Sequence, residues 1–485
     1  MILPPPPKTP TPLSALLRRF QRALDALPAL DLGKRLPLDR ASCLFLLCPM
    51  QAVLAVLEDT GRDSALQRRL PAHLVVYFVI ACSLWRDKSL PNVWLQLHPL
   101  SDRPAPDPSA FVHARKRLGA RPMRALFRRL VCSAGPLPGA HYKCWRLLAL
   151  DGSAFELPDT PANAEHFGRH HNQHGPAAFP QTEVAALCEV FSHAVIDFEA
   201  GRCSESEQAL SVPLLGRLPA GCLVLMDRGL SYFRLVAAVK ARGGEVLARV
   251  KVSRKLPVER QLPDGSYLSS IYPDSNSSRA GRGGLAVRVI CYSHDDPSRA
   301  GCGELTVLIT TVLAHEELSA TEAVRLYPWR WAEESVLAEI KQSMQHGKQP
   351  LLRSKKPELV CQELYGLFVA HYLIRKVMAE AAQLEAAEAW QLSFTDSLEV
   401  MRKWLSEETR QGWRRRYGLL LSAVAQRRLR PRRERSYPRY KKAARQGWPM
   451  KRAGQAPPVQ PSKPLARAVY LVEPPAPAGA GGRGP

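Results

Sequence analysis

The stretch RLLALDG, residues 146–152, begins the part of the chain that decides the fold. Its apolar run predicts a strand that leads directly into an Asp-Gly pair. Downstream, residues 183–200 (EVAALCEVFSHAVIDFEA) predict two consecutive strands, and residues 222–226 (CLVLM) predict another that ends at Asp227. A helix is predicted on either side of CLVLM, and EVLARVKV at residues 245–252 predicts a last strand. The order is therefore three strands, a helix, a strand, a helix and a strand.

This order matches the ribonuclease H-like fold, an α/β fold in which a mixed sheet is flanked by helices. In that fold acidic residues gather where the first and fourth strands end side by side. Asp151 and Asp227 occupy those two positions. An Asp after a strand is more often a turn former than a catalytic residue, so neither Asp is decisive alone.

A third acid lies in the stretch YPWRWAEESVLAEIK, residues 327–341. At about 100° per residue, an α-helix places four side chains of this stretch on one stripe: Tyr327, Arg330, Glu334 and Lys341. Such a surface is suited to holding a metal ion and gripping phosphates. The alternative is an exposed helix whose charges are paired and solvated, since Arg330 and Glu334 are four residues apart.

Two neighbours affect this stripe. Pro328 disfavours a helical conformation in the residue before it, so we expect the helix to break there and restart with Pro328 in its first turn. Glu333 is the adjacent rival of Glu334, but it lies about 100° round the helix and is placed outside the site. Upstream, Ser319 and Glu322 have the spacing of a capping box that opens a helix.

The three acids offer the ligands that phosphodiester chemistry needs. Two divalent ions about 3.5 to 4 Å apart can activate an attacking oxygen and stabilise a leaving oxygen. Ions such as Mg²⁺ prefer oxygen ligands and are held by few carboxylates. Asp151, Asp227 and Glu334 form such a set.

The formal net charge of +24, from 68 Lys and Arg against 44 Asp and Glu, predicts a polyanionic partner. Nucleic acid fits best, and an anionic membrane surface is the second choice. The longest apolar run, AHLVVYFVIACSLW at residues 72–85, is shorter than the roughly 20 residues that cross a bilayer and predicts a buried core helix. Residues 1–12 lack the pattern of a secretory signal, so a cytoplasmic location is expected.

The cysteines and histidines favour no structural metal. Eleven Cys with no CxxC pair indicate reduced thiols rather than a disulfide framework or a zinc ribbon. The stretch HFGRHHNQHG holds four His residues, His166, His170, His171 and His174. With Gly and Asn between the His residues and no Cys in the stretch, it predicts a polar loop rather than a zinc site.

The spacing Tyr, two residues, Arg, three residues, Glu, six residues, Lys resembles the signature of bacterial insertion-sequence DDE transposases of the insertion element 4 family. The residues that satisfy it are Tyr327, Arg330, Glu334 and Lys341. DGSAFELPDTPANAEHFGR and LVLMDRGLSYFRLV are similar to that family's catalytic half, and TGRDSALQRRLPAHLVVYFVIACSLW is similar to its amino-terminal domain. The similarity runs from about residue 40 to about residue 400.

The resemblance implies a DNA transposase. Its catalytic residues, which bind two Mg²⁺ or Mn²⁺ ions, would be Asp151, Asp227 and Glu334. The residues that contact phosphates of the transposon end would be Tyr327, Arg330 and Lys341. The implied reaction is cleavage at the terminal inverted repeats followed by transfer of the 3′ hydroxyl to target DNA, of the cut-and-paste type. A homodimer would pair the two ends, at the nucleoid of a bacterial cytoplasm.

Two alternatives remain open, a catalytically inactive DNA-binding relative and a nuclease that cleaves without joining. A hairpin intermediate is also left open, because in some family members an aromatic residue of a β-rich insertion holds a flipped base. Here the insertion has no Trp, and its aromatic residues are Tyr267, Tyr272 and Tyr292. Packing of these rings in the core is favoured over stacking on a base.

Changes in composition and periodicity divide the chain into seven predicted segments. They are a Pro-rich arm and basic helix (1–29), a helical N-terminal DNA-binding domain (30–135), the first part of the catalytic core (136–253), a β-rich insertion (254–318), the helical part of the core with Glu334 (319–380), a basic C-terminal helical region (381–452) and a disordered tail (453–485).

Overall fold

The computed structural model describes residues 10–25, 41–63, 70–97, 106–172, 175–299, 301–344, 352–407, 412–430 and 464–474. The helices are α1 (Leu13–Asp25), α2 (Ala41–Leu47), α3 (Met50–Asp59), α4 (Ala72–Leu84), α5 (Leu90–Leu97), α6 (Pro108–Leu118), α7 (Arg121–Ala134), α8 (Pro161–Phe167), α9 (Glu207–Leu215), α10 (Phe233–Ala241), α11 (Ser275–Ala280), α12 (Ala320–Leu326), α13 (Ala332–Ala338), α14 (Pro357–Leu384), α15 (Phe394–Ser406), α16 (Trp413–Ala425) and α17 (Leu465–Ala468).

The strands are β1 (His141–Tyr142), β2 (Trp145–Glu156), β3 (His171–Asn172), β4 (Gly175–Pro176), β5 (Gln181–Glu189), β6 (Val195–Arg202), β7 (Cys222–Met226), β8 (Glu245–Val250), β9 (Arg260–Gln261), β10 (Tyr267–Ile271), β11 (Leu285–His294), β12 (Thr306–Thr310) and β13 (Val469–Leu471). The predicted order of three strands, helix, strand, helix and strand is confirmed by β2, β5, β6, α9, β7, α10 and β8.

The described residues form two compact units. The larger unit comprises the described residues of Pro6–Arg217 and Trp331–Leu429, and the smaller unit comprises those of Leu218–Arg330 and Arg430–Pro485. In the larger unit β6, β5 and β2 pair antiparallel in that order, and β1 pairs with the start of β2. Residues 147–150 of β2 are fully buried, as expected of a continuous apolar run in a strand covered on both faces.

The helices of the larger unit pack around α14, which contacts α4, α7, α15 and α16. The prediction of a buried core helix is confirmed, because most residues of α4 are buried. The contact between α4 and α14 is close at Gly366, where a Cβ would lie only 2.7 Å from Cγ1 of Val79. On the sheet side, the rings of Phe198 and Phe368 stack with centroids 3.9 Å apart. This packing fixes α14 as the scaffold of the unit.

The smaller unit has its own strand order, β7, β8, β12, β11, β10, β9. β7 and β8 are parallel and are joined through α10, whereas β12 runs antiparallel to β8 and continues the sheet. Tyr267 packs in the core, 4% exposed, and its hydroxyl donates to the Leu256 carbonyl at 3.2 Å. The described strands of the predicted β-rich insertion therefore extend the sheet from β8.

The predicted disordered tail is wrong for residues 464–474. This segment contains α17 and β13, and β13 pairs antiparallel with β11. The pairing depends on a partner far away in sequence, which the Pro- and Ala-rich composition does not reveal. The basic stretch beyond residue 430, the rest of the tail and His174 lie outside the described residues. No helix in the described part of the chain is long and apolar enough to span a membrane.

Candidate active site

Asp151 lies within β2, where the strand leaves the buried core. It is half-buried, and its Oδ1 accepts the backbone N–H of Gly152 at 3.0 Å. A Cβ at Gly152 would lie 2.8 Å from Cγ of Glu207, so glycine leaves room for that side chain. Glycine at position 152 thus makes room for an acid on α9 that the sequence pattern does not single out.

Asp227 directly follows β7 in the smaller unit. Its Oδ1 accepts the backbone N–H of Leu230 at 2.9 Å, so the carboxylate also closes a turn. A Cβ at Gly229 would lie 3.1 Å from the same oxygen, which makes a larger residue there a tight fit. The turn-forming role of Asp227 therefore fixes its carboxylate at the strand end.

Tyr327 and Arg330 belong to the same unit as Asp227. Burial raises the pKa of the Tyr327 phenol to about 12, while the Arg330 charge lowers it and the Asp227 charge raises it. The charges of Arg330 and Asp227 therefore act on the pKa of the phenol in opposite directions. At neutral pH the phenol is protonated and can donate a hydrogen bond.

The signature segment is not the single α-helix that the sequence predicts. After α12 it consists of a 3₁₀ turn (Tyr327–Trp331), α13 (Ala332–Ala338) and a π-helical turn (Glu339–Ser343). The break near Pro328 is confirmed, but the prediction of one continuous stripe is wrong. A π turn bonds residue i to i+5 and adds about one residue, or roughly 100°, to the helical phase. The side chain of Glu333 lies outside the described residues, so its exclusion from the site stays a prediction.

Glu334 and Lys341 consequently lie in different surroundings. Glu334 is exposed on α13, whereas Lys341 is half-buried. The ammonium group of Lys341 donates to the Ser153 hydroxyl and, at 2.5 Å, to the Ala154 carbonyl. Ser153 lies two residues after Asp151, so Lys341 ties the signature segment to the strand that carries Asp151.

Glu339, at the start of the π turn, is held in a buried cluster that the sequence does not reveal. Its carboxylate accepts hydrogen bonds from Arg375, the Nε bond being 2.9 Å long. Nε2 of His371 lies 3.1 Å from Oε2, and Nδ1 of His193 lies 3.6 Å from Oε1. Burial acts to raise the pKa of Glu339, but Arg375 and the two imidazoles outweigh it and hold the pKa well below its usual value.

Two family models match the chain. The model of the insertion element 4 transposase N-terminal region matches residues 39–128, and the model of the transposase DDE domain matches residues 143–373. The transposase InsG for insertion sequence element IS4, from Escherichia coli (strain K12), is 30% identical over 360 residues, which cover 72% of this chain and 79% of that protein. The chain belongs to the insertion element 4 family of DDE transposases.

This transposase is also similar to the putative transposase InsZ of Escherichia coli (strain K12). The two chains are 27% identical over 187 residues, and these residues cover 37% of this chain and 61% of InsZ. Among solved structures, a match is found to the piggyBac transposase synaptic complex with hairpin DNA. The aligned region covers 81% of this chain and 87% of that chain, with a TM-score of 0.39 and 11% sequence identity. Family membership makes the chain a DDE transposase enzyme with the ribonuclease H-like fold that its strand order predicts.

DDE domains generally use divalent metal ions. Asp151, Asp227 and Glu334 provide carboxylate oxygens, the ligand type that Mg²⁺ and Mn²⁺ prefer. Among the residues that the structure describes, no three His, Cys, Asp or Glu side chains are grouped so as to hold a metal ion. The three acids fit a divalent ion by the chemistry of their side chains.

Proposed function

We propose that this transposase binds the terminal inverted repeats of its own insertion sequence and catalyses strand cleavage and strand transfer, in a cut-and-paste reaction. The observation that carries the proposal is the complete Tyr-Arg-Glu-Lys spacing together with Asp151 and Asp227, in a chain of this family. The net charge of +24 supports double-stranded DNA, at the transposon ends and at the target, as the partner.

Asp151, Asp227 and Glu334 are the proposed catalytic and metal-binding residues. Two Mg²⁺ or Mn²⁺ ions, when bound, activate the attacking oxygen and stabilise the leaving oxygen. The fixed positions of Asp151 and Asp227 on strands support this role, because carboxylates held by the backbone need little reorganisation to bind a ligand. The exposure of Glu334 leaves its carboxylate accessible to a divalent ion from solvent.

The phosphate-contacting residues are proposed to be Tyr327, Arg330 and Lys341. Arg330 suits a phosphate through its planar fork of donors, and Lys341 through a compact positive charge. The protonated phenol of Tyr327 supplies a neutral donor. To contact a phosphate, the Lys341 ammonium group would either give up a hydrogen bond to Ser153 or Ala154 of β2 or add the phosphate as a further acceptor.

In the proposed reaction, one strand at each element end is hydrolysed, the opposite strand is also cut so that the element is released, and the freed 3′ hydroxyl attacks a phosphodiester of the target. Both steps exchange one P–O bond for another, so no oxidant or energy source is needed. Two ends must be held together for concerted insertion, which favours a homodimer in the end-paired complex. The proposed location is the nucleoid of a bacterial cytoplasm.

Joining is the step that separates this proposal from its alternatives. The purified full chain is incubated in Mg²⁺ with a DNA fragment that carries the element ends and with a supercoiled target plasmid. Covalent attachment of the 3′ ends to the plasmid is the expected result. Cleavage without attachment would identify a nuclease, and binding without cleavage would identify an inactive DNA-binding relative.

A further inference from the structure

The π turn at Glu339–Ser343 separates two residues of the signature, because it follows α13 with Glu334 and contains Lys341. Turns of this type are rare and occur often at functional sites. Nothing in the local sequence, EIKQS, favours one over an α-helical turn. The cause is therefore to be sought in the contacts that the turn makes with the rest of the larger unit.

On one side, the turn is anchored by the Glu339 cluster, which consists of Glu339, His193, His371 and Arg375. His371 and Arg375 lie on α14, and His193 lies in the turn between β5 and β6. Nη2 of Arg375 lies 3.2 Å from Nδ1 of His193, so the members also bond to each other. His371 is fully buried, and Arg375 is 1% exposed.

The cluster holds its members firmly enough to keep one of them strained. His193 has φ of +59°, a left-handed conformation that is unfavourable for a non-glycine residue. Removing one partner of a buried ion pair leaves an uncompensated charge, which is strongly unfavourable. Glu339 is therefore confined to one position, and the start of the π turn is confined with it.

On the other side, the turn is anchored to β2 by the bonds from Lys341 to Ser153 and Ala154. α13 itself packs against β2 and β5. The segment that carries Glu334 is thus held between the strand of Asp151 and the Glu339 cluster. Both Asp151 and Glu334 belong to the larger unit, so this anchoring acts within one body.

We propose that Glu339 is a positioning residue, which through the Glu339 cluster sets where Glu334 stands relative to Asp151 and thereby sets the affinity of the active site for its divalent ion. The inference rests on the proposed function, because it takes these two carboxylates as metal ligands. Glu339 itself touches neither the metal nor the DNA. Its effect is on the geometry of the residues that do.

The test is the variant Glu339→Gln, which removes the charge while keeping the shape of the side chain. The Mg²⁺ concentration that gives half-maximal end cleavage is expected to rise about 10-fold, within the range found when groups behind metal ligands are altered. Binding of the element end, measured without a divalent ion, is expected to stay within about twofold of wild type because the DNA-contacting side chains are unchanged.

Glu363→Gln is the matched control. Glu363 is also a buried carboxylate of the larger unit, paired with Arg86 at 2.7 Å and bonded to Ser354, but it contacts neither α13 nor the π turn in any described bond. Both variants are expected to lower the unfolding temperature, and only Glu339→Gln is expected to change the Mg²⁺ requirement. An equal change in both variants, or no change in Glu339→Gln, would overturn the inference.

Arg375→Lys keeps the test decisive if Glu339→Gln does not fold. Lysine preserves the charge but loses the two-point contact with Glu339, so a smaller rise in the Mg²⁺ requirement is expected. A folded Arg375→Lys variant with the wild-type requirement counts against the inference. If the wild-type protein never cleaves the ends of the DNA element, the proposed function and this inference both fail. If the wild type cleaves them and Glu339→Gln has the same Mg²⁺ requirement, only the inference fails.

Discussion

Glu334 and Glu339 lie five residues apart on one helical segment and have opposite surroundings. Glu334 is exposed, whereas Glu339 is enclosed by Arg375, His371 and His193. A carboxylate that binds a metal at a DNA phosphate must remain accessible, but a carboxylate that holds structure can be buried if it is well paired. One short segment therefore supplies both the proposed catalytic acid, Glu334, and the acid that is proposed to position it, Glu339.

The largest effect on cleavage is expected when a proposed metal-binding carboxylate is replaced. Asp151→Asn or Asp227→Asn removes a proposed metal ligand, and we expect cleavage of the element ends to fall by about 10³-fold or more. End binding without a divalent ion is expected to change little. Gel analysis of nicked products in Mg²⁺ measures the first quantity, and a persistent nick at the wild-type rate would show that the site is elsewhere.

A buried and paired carboxylate is expected to stabilise the fold in a way that depends on pH. Glu363 allows this effect to be tested outside the signature segment. Burial acts to raise the pKa of Glu363, but Arg86 and Arg115 hold it at about 2, below the ordinary value of 4.5. Because the folded pKa is depressed, the charge stabilises the fold above about pH 5, and this contribution is lost as the pH falls toward 2.

Glu363→Gln is therefore expected to lower the free energy of unfolding by about 3 kcal/mol at pH 7. The difference from wild type is expected to shrink at pH 3. Denaturant unfolding at the two pH values measures it. A difference that is equally large at both would mean that the ion pair with Arg86 is not its source.

Lys341→Ala is expected to give the smallest effect, because it removes a single positive charge from the π turn. If Lys341 contacts a phosphate, the slope of log affinity against log salt concentration becomes less steep by about 0.9 for single-site loss. Lys403→Ala is the control, since Lys403 is exposed on α15 with its side chain 78% accessible. Equal slopes for wild type and Lys341→Ala would confine Lys341 to its structural bonds with β2.

The sequence predicted the features that short stretches determine. The apolar run before Asp-Gly indicated the strand β2, although β2 continues past Asp151 to Glu156, and Ser319 with Glu322 forms the expected capping box. Pro328 indicated the change from α12 to the 3₁₀ turn, but its expected effect on the residue before it is wrong, because Tyr327 keeps a helical backbone with φ of −54° and ψ of −40°.

The features that the sequence missed depend on partners far away along the chain. The π turn is anchored by His193 and Arg375, which no spacing within residues 327–341 could indicate. The single α-helix predicted between Glu334 and Lys341 was therefore wrong, although both residues were identified. β13 was missed for the same reason, since its pairing partner is β11.

The most direct test of the central claim compares Glu334→Gln with its neighbour, Glu333→Gln, in the joining reaction. The two variants carry the same chemical change at adjacent positions, so a general effect of charge loss cancels between them. We predict that Glu333→Gln attaches element ends to target DNA within a fewfold of wild type and that Glu334→Gln attaches none. Joining by Glu334→Gln, or its loss in a folded Glu333→Gln, would contradict the assignment of Glu334 as the third acid.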